Sequence, residues 1–237
     1  MDDPSAASAT VKAYRTAGTL ASSVYEQLRE DILQGRLEPG SKLRLQYLTK
    51  QYSVGNSPLR EALNRLSSNG LVTHEENKGF RVSGASVAEL EDLIRTRCML
   101  EETALRKSIE LGDDDWEERV VIAFHRLNRL ERGTTKTEQH RTPELEAAHS
   151  EYHIALLSAC GSKMLLDFCR QLHAQTLRYR SLVEVLQYRD THECSEHEKI
   201  QQAVLERDTE RAVAMLCEHY LSTLKIIAES GALDQTS

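Results

Sequence analysis

The residues best suited to chemistry are four histidines in the second half of the chain, His149, His153, His197 and His219. His149 and His153 are four residues apart, so one helix face would carry both imidazoles and present nitrogens to the same ion. His197 and His219 follow on two later helices. A second interpretation stays open at this point, because a histidine pair at this spacing is equally well explained as a satisfied buried or surface pair.

A second set of candidates surrounds the start of a short helix. Asn56, Ser57 and Arg60 would form the leading turn of the second helix of a helix-turn-helix, which faces base edges in the major groove. Asparagine can pair with adenine, arginine with guanine or phosphate, and serine lets the backbone approach a phosphate. Candidates for phosphate contacts and a minor-groove wing tip are Arg44, Arg65, Lys78 and Gly79. A helix pair with a hairpin also occurs in protein-interaction domains, in which Arg60 would be a solvated charge.

The elements that must position this second set are three helices and a hairpin. Apolar residues recur at helical spacing over 20–33, over a short stretch near 47–54, and over 57–69. Two short β-like runs, 71–74 and 80–83, are joined by a turn that contains Gly79. This order predicts a winged helix-turn-helix.

Beyond residue 84 the pattern predicts helices only, so the fold class is mainly α, with an all-α helical bundle after the winged helix. Ser86 and Glu89 form a capping-box signature at the start of this part. The predicted helices lie near 86–110, 113–131, 143–160, 162–187, 190–206 and 208–230. The predicted domains are a disordered arm at 1–18, the DNA-binding domain at 19–84, the helical domain at 85–231 and a tail at 232–237.

Composition favours a cytoplasmic protein with no membrane association. Hydrophobic residues make up 40% of the 237 residues, mean hydropathy is -0.50, and the N-terminus has no apolar segment typical of a signal peptide. The five cysteines are an odd number without a Cys-x-x-Cys pair, which predicts reduced, buried thiols.

Charge is unevenly distributed along the chain. The net charge is -7, but residues 1–84 carry 11 Lys and Arg against 9 Asp and Glu. A phosphate-binding surface needs positive charge only locally. The acidic remainder therefore does not exclude a nucleic-acid partner.

Several short motifs follow one another through the first part of the chain. They are Gly40-Ser41-Lys42-Leu43, then Pro58-Leu59-Arg60-Glu61-Ala62-Leu63, then Gly70-Leu71-Val72, and finally Lys78-Gly79-Phe80-Arg81-Val82. Together they closely resemble the winged helix of the GntR family. The resemblance implies a homodimer that reads palindromic operator DNA, with Asn56, Ser57, Arg60 and the wing in DNA-contact positions. Many relatives carry an arginine just before the proline motif, whereas this chain has Asn56-Ser57, so their operator sequences do not transfer.

The contexts of the four histidines carry a second, looser resemblance. His149-Ser150-Glu151-Tyr152-His153, Glu196-His197-Glu198 and Glu218-His219-Tyr220, with Arg97 four residues before Glu101, resemble the FCD ligand-binding domain of FadR-type GntR regulators. In that family an Asp-x-x-x-His helix and two later histidines hold a divalent metal. The implied ligands are His153, His197 and His219, with His149 in the place of the aspartate. A neutral imidazole there favours zinc or nickel over magnesium; loss of the metal, with direct binding of an anion by the histidines, is the alternative.

An anionic effector would need cationic and hydroxyl partners, and Arg97, Arg178, Arg180 and Tyr179 are the candidates. Arg178 and Arg180 are two residues apart, so they cannot both face one pocket. We select Arg97, Arg178 and Tyr179 as the predicted effector-binding residues.

The function predicted from these features is that of a transcriptional regulator and not of an enzyme. We expect a repressor whose operator affinity is controlled by a small carboxylate, such as a dicarboxylate, bound at the metal site. A metal-dependent hydrolase is the alternative from another class, but four protein nitrogens close a zinc shell, whereas catalytic sites keep a position open. A third possibility is a DNA-binding protein whose helical domain only dimerises.

Overall fold

The computed structural model describes residues 19–76, 78–133, 142–184, 193–231 and 233. The predicted N-terminal arm and nearly all of the predicted tail lie outside these ranges. The elements in chain order are α1 (Leu20–Leu33), β1 (Lys42–Leu43), α2 (Leu45–Gln51), α3 (Asn56–Ser68), β2 (Val72–Glu75), β3 (Gly79–Val82), α4 (Val87–Leu111), α5 (Asp114–Gly133), α6 (Pro143–Leu157), α7 (Lys163–Glu184), α8 (Glu193–Leu205) and α9 (Thr209–Glu229).

The first part of the chain is a winged helix-turn-helix, as predicted. The antiparallel strand pair β2 and β3 forms the wing, and β1 joins the other edge of β3 to give the order β1-β3-β2. This third strand was not among the predicted elements, because a two-residue strand is too short to show an alternating pattern. A buried apolar core joins α1, α2, α3 and the sheet, and its members include Leu28, Leu48, Leu59, Leu63, Leu66 and Phe80.

The second part is a bundle of helices α4 to α9, so the mainly α fold class is confirmed. Ser86 caps α4, and its hydroxyl accepts a hydrogen bond from the Glu89 amide at 3.2 Å, which is the predicted capping arrangement. Pro143 occupies the first turn of α6, where a missing N–H costs nothing. A separate buried core runs between these helices, with Leu90, Leu105, Trp116, Leu127, Tyr152 and Leu216 among its members.

The two parts meet where α3 ends and α7 passes. Gly70 follows α3 with a φ of +73°, a backbone conformation that glycine adopts without a steric penalty. A Cβ at this position would lie 2.8 Å from Nε2 of Gln175. The Gly70 carbonyl accepts hydrogen bonds from Ser83 Oγ at 2.8 Å and from Arg178 at 3.4 Å. Helix α7 therefore touches the segment that ends the second helix of the helix-turn-helix.

Among the described residues, no helix combines the length and the apolar content needed to cross a lipid bilayer.

The packing of α3 leads to a prediction about stability. Leu63 is fully buried, whereas Leu20 at the start of α1 is 59% exposed. We expect Leu63→Ala to destabilise the winged helix by about 2–5 kcal/mol, because it leaves a cavity in the core. The matched Leu20→Ala should change stability by less than about 0.5 kcal/mol. Chemical denaturation followed by circular dichroism measures both, and equal effects of the two variants would contradict the described core.

Candidate functional site

The four predicted histidines meet inside the helical bundle. His149 and His153 lie on α6, His197 on α8 and His219 on α9, and each is 0 to 2% exposed. One nitrogen from each ring can be chosen so that all four lie within 4.8 Å of one another. Nitrogens grouped at this spacing can bind one ion together, whereas unrelated buried histidines would be satisfied by separate partners.

The outer nitrogens of two rings are held by partners that orient them. His219 Nδ1 lies 2.8 Å from Glu196 Oε2, so an N–H on Nδ1 donates to this carboxylate and Nε2 is the nitrogen that can bind an ion. His153 Nδ1 lies 3.2 Å from the Tyr220 hydroxyl. That hydroxyl donates to Glu101 at 2.5 Å, so its oxygen accepts from His153. Carboxylate and hydroxyl partners on the far nitrogen of a histidine are the usual support of a metal ligand.

The surroundings of the His197 ring indicate whether the histidine cluster suits a metal ion. This ring is fully buried, and neither ring nitrogen makes a hydrogen bond to a described residue. Nδ1 lies 3.3 Å from Glu131 Oε1, within ion-pairing range but not in hydrogen-bond geometry. A buried polar atom without a partner is costly, and such atoms in native proteins call for an ion, water or ligand. The donor set, imidazole nitrogens with carboxylates behind them, fits zinc or nickel.

His149, which takes the aspartate position of the family pattern, lies against an arginine. Arg180 donates from Nη1 to His149 Nε2 at 2.9 Å, and His149 Nε2 is 3.2 Å from His153 Nε2. Arg180 is 8% exposed and also lies 3.8 Å from Glu146. Because arginine stays protonated, the cluster has a fixed positive charge at this edge.

A second arginine, Arg97, is surrounded by partners. It donates to Glu101 at 2.7 Å and to Thr176 at 3.1 Å, and its guanidinium lies 4.0 Å from the centre of the Tyr220 ring. Both members of the ion pair are nearly inaccessible to solvent. Arg97 therefore ties α4 to α7 and α9 beside the histidines, and most of its donors are occupied within the protein.

The sequence analysis missed His173, a fifth buried histidine. It lies between Arg97 and Ser150, at 3.2 Å from Arg97 Nη2 and 2.9 Å from Ser150 Oγ. His173, Thr176 and Arg180 are spaced three and four residues apart on α7, so one helix face carries all three. That spacing is the signal that would have found His173 and selected Arg180.

The structure places Arg180, and not the predicted Arg178, beside the histidine cluster. Two arginines at this spacing do diverge, as expected, but Arg178 turns away from the histidines. It donates to the Gly70 carbonyl at 3.4 Å and to the Tyr179 hydroxyl at 3.1 Å. Tyr179 in turn donates to Glu89 at 3.4 Å. Arg178 and Tyr179 thus lie where α7 meets α4 and the winged helix, and not beside the histidine cluster.

The predicted base-reading residues lie together at the exposed start of α3. Asn56, Ser57 and Arg60 are all exposed on its first turns. The N-cap residue, Gly55, makes no side-chain cap hydrogen bond, and Pro58 has no N–H. The remaining N–H groups of this turn are therefore available to a phosphate at the positive end of the helix dipole.

The predicted phosphate-contacting residues are on the same part of the chain but differ in their surroundings. Arg44 is exposed at the start of α2, and Lys78 is exposed in the turn of the wing, 2.8 Å from Glu75. Gly79 has a φ of +84° in that turn. Arg65 packs back on α1, with its guanidinium 4.3 Å from the centre of the Tyr25 ring.

The fold and the site together define the class of a DNA-binding regulator, a winged helix joined to a helical domain with a buried polar centre. Residues 20–82 match the family described as bacterial regulatory proteins, gntR family, and residues 92–222 match the FCD domain. The chain is 36% identical over 233 residues to the HTH-type transcriptional regulator BphR of Paraburkholderia xenovorans (strain LB400), covering 98% of this chain and 94% of that one.

It is also 34% identical over 214 residues to the HTH-type transcriptional repressor GlaR of Escherichia coli (strain K12), covering 88% and 96% of the two chains. Among solved structures, E. coli McbR/YncC shares the fold with a TM-score of 0.73 at 19% identity, over 90% of this chain and 98% of that one. The chain belongs to the GntR family of DNA-binding transcriptional regulators, with a C-terminal FCD domain. Its relatives are regulators and not enzymes.

Burial lowers the pKa of two histidines in this region, His153 and His173. The pKa of His153 is well below its ordinary value, first because of burial and then because of the neighbouring His219 and His197. The pKa of His173 is lowered in the same direction, by burial and by Arg97 and Arg180. Both imidazoles are therefore neutral at neutral pH.

These shifts predict how the metal-free protein responds to acid. In the unfolded chain both histidines titrate near pH 6.5, while in the folded protein they resist protonation. The unfolded state then binds more protons as the pH falls, so the stability present above about pH 6.5 is lost below it. The melting temperature of chelator-treated protein should fall between about pH 7.5 and 5.5. His173→Gln should flatten this slope and His125→Gln, at an exposed position of α5, should not; identical slopes would contradict the lowered pKa of His173.

Proposed function

We propose that this chain is a repressor whose affinity for operator DNA is controlled by a small carboxylate, such as a dicarboxylate, bound at a metal centre formed by His149, His153, His197 and His219. The observation that carries the proposal is the convergence of these four buried rings, with the two ring nitrogens of His197 left without a hydrogen bond among the described residues. The DNA that it binds lies in the cytoplasm, which is where we place its action.

Each residue at the proposed metal centre has a separate role in binding the metal or the anion. His153, His197 and His219 would hold zinc or nickel, with Glu196 orienting His219. His149 would be a fourth ligand or, while it accepts from Arg180, a partner of the bound anion. A bound divalent ion supplies positive charge and an electrophilic site for a carboxylate oxygen. Arg180, whose donors reach the cluster from α7, is our proposed partner for the rest of the anion; Arg97 would act mainly by holding the site together.

The route to DNA would run through α7. One face of this helix carries Arg180 and His173 toward the cluster, and another carries Gln175 and Arg178 toward Gly70. A ligand that binds one position of α7 more tightly than another would shift the segment that ends α3, and only such a difference in affinity can change operator binding. We further propose the FadR-type assembly, in which two copies of the chain present their α3 helices to a palindromic operator.

The metal centre is tested by zinc titration of chelator-treated protein in a calorimeter. We expect one zinc per chain, loss of binding in His197→Ala, and a roughly 10–100-fold weaker affinity in Glu196→Gln, because its carboxylate supports a ligand. His125→Ala, which removes an exposed histidine of α5, is the matched control and should bind as the parent does.

The same protein, with and without zinc, should then be melted against a panel of organic acids. A bound acid at 100 times its dissociation constant would add about 2.7 kcal/mol to stability. A shift that requires zinc supports the metal-centred sensor, and a shift without zinc supports direct binding by the histidines and Arg180. No zinc binding and no acid response would leave a DNA-binding dimer with a structural histidine cluster.

The nucleic-acid surface is tested separately from the sensor. Duplexes selected from a random pool provide the operator, and binding is measured by fluorescence anisotropy at fixed salt. We expect Arg60→Ala to weaken binding by about 1–3 kcal/mol, the value of a good bidentate base contact. Arg95→Ala, an exposed arginine of α4, should leave affinity unchanged. An unchanged affinity of Arg60→Ala would remove this residue from the interface.

A further inference from the structure

Two cysteines face each other across the contact between α4 and α9. Cys98 lies on α4 and Cys217 on α9, and each thiol is close enough to the other to shift its pKa, which is raised for Cys98 and lowered for Cys217. Both side chains are half-buried, packed at the edge of the helical core. A small reagent from solvent can therefore reach the pair, which distinguishes it from a thiol enclosed in the core.

The packing of the two helices explains why these thiols meet. Arg106 on α4 donates from Nη2 to Glu210 on α9 at 2.8 Å. Cys98 precedes Arg106 by eight residues and Cys217 follows Glu210 by seven, so antiparallel helices in this register place the two cysteines opposite each other. The packing of the helix pair therefore brings the two cysteine positions together.

A second set of contacts joins α4 and α9 close to the two cysteines. The Tyr220 hydroxyl donates to Glu101 at 2.5 Å, and the Tyr220 ring lies under Arg97. On α9 these contacts flank Cys217, while on α4 Arg97 precedes Cys98 and both Glu101 and Arg106 follow it. A disulfide requires two cysteines that face each other on closely packed segments, and α4 and α9 supply such a pair.

We propose that Cys98 and Cys217 form a reversible disulfide that clamps α4 to α9. With a peroxide as the oxidant, one thiol sulfur attacks a peroxide oxygen and becomes a sulfenic acid as one water leaves. The second thiol then attacks the sulfenic sulfur, the S–S bond forms and a second water leaves. The sulfurs lose two electrons and the peroxide gains them. A dithiol reductant reverses the bond, as expected of a redox-sensing disulfide in a reducing compartment.

The other two cysteines whose side chains are described are less accessible to solvent. Cys160 is buried, and its thiol donates to the Ser162 carbonyl at 3.4 Å. Cys169 is fully buried in the helical core. The proposed bond joins helices that carry Glu101 and Tyr220, so oxidation would fix the contact that supports His153. The proposal does not require a metal or a carboxylate effector.

The test is a map of the linked peptides in the full-length protein. Reduced protein is treated with hydrogen peroxide, free thiols are alkylated, and the protein is digested with trypsin. We expect residues 98–106 and 212–225 to appear as one disulfide-linked species, and dithiothreitol to separate them. Cys98→Ser and Cys217→Ser should each abolish this species, whereas Cys160→Ser should retain it. Circular dichroism melting of the reduced variants establishes that they are folded, and the map of the parent protein stands without them.

Three results would overturn the proposal. The first is that both thiols remain open to alkylation after peroxide treatment. The second is that each is oxidised to sulfinic acid with no linked species. The third is that the link joins two copies of the chain, which a mixture of light and isotopically heavy protein reveals as mixed-mass pairs.

Discussion

A charged guanidinium and a charged carboxylate, those of Arg97 and Glu101, lie inside the helical domain with almost no contact with solvent. Burying such a pair is tolerated only when the remaining donors and acceptors are also satisfied. Thr176 and His173 on α7 accept or share the arginine donors, and Tyr220 on α9 donates to the carboxylate. The pair therefore sets the spacing of α4, α7 and α9, and removal of one partner would leave an uncompensated charge among them.

The histidine cluster depends on this arrangement. Tyr220 is shared between Glu101 and His153, so the orientation of one proposed metal ligand follows from the ion pair. Burial keeps the imidazole of His153 neutral, which is the state that a metal ligand requires. Arg180 adds a fixed positive charge at the edge of the cluster. A neutral imidazole beside a fixed cation suits a centre that attracts an anion.

Much of the architecture was predictable because it depends on neighbours along the chain. The helical periodicity of α1 and α3, the cap at Ser86 and the glycine in the turn of the wing are local features, and the structure contains each of them. The strand β1 was missed because its two residues become a strand only by pairing with β3. The start of α3 also placed Asn56 and Arg60 on one exposed turn, as their spacing predicted.

The sequence by itself determined the fold class, the winged helix and the four histidines, because periodicity and motif spacing are written in consecutive residues. Only the tertiary structure decided that Arg180 and not Arg178 lies at the cluster, that Glu196 supports His219, and that Cys98 meets Cys217. The contact between Glu101 and Tyr220 joins residues 119 positions apart. Such contacts arise from the way in which amphipathic helices pack on one another, and the order of residues within any single helix does not specify them.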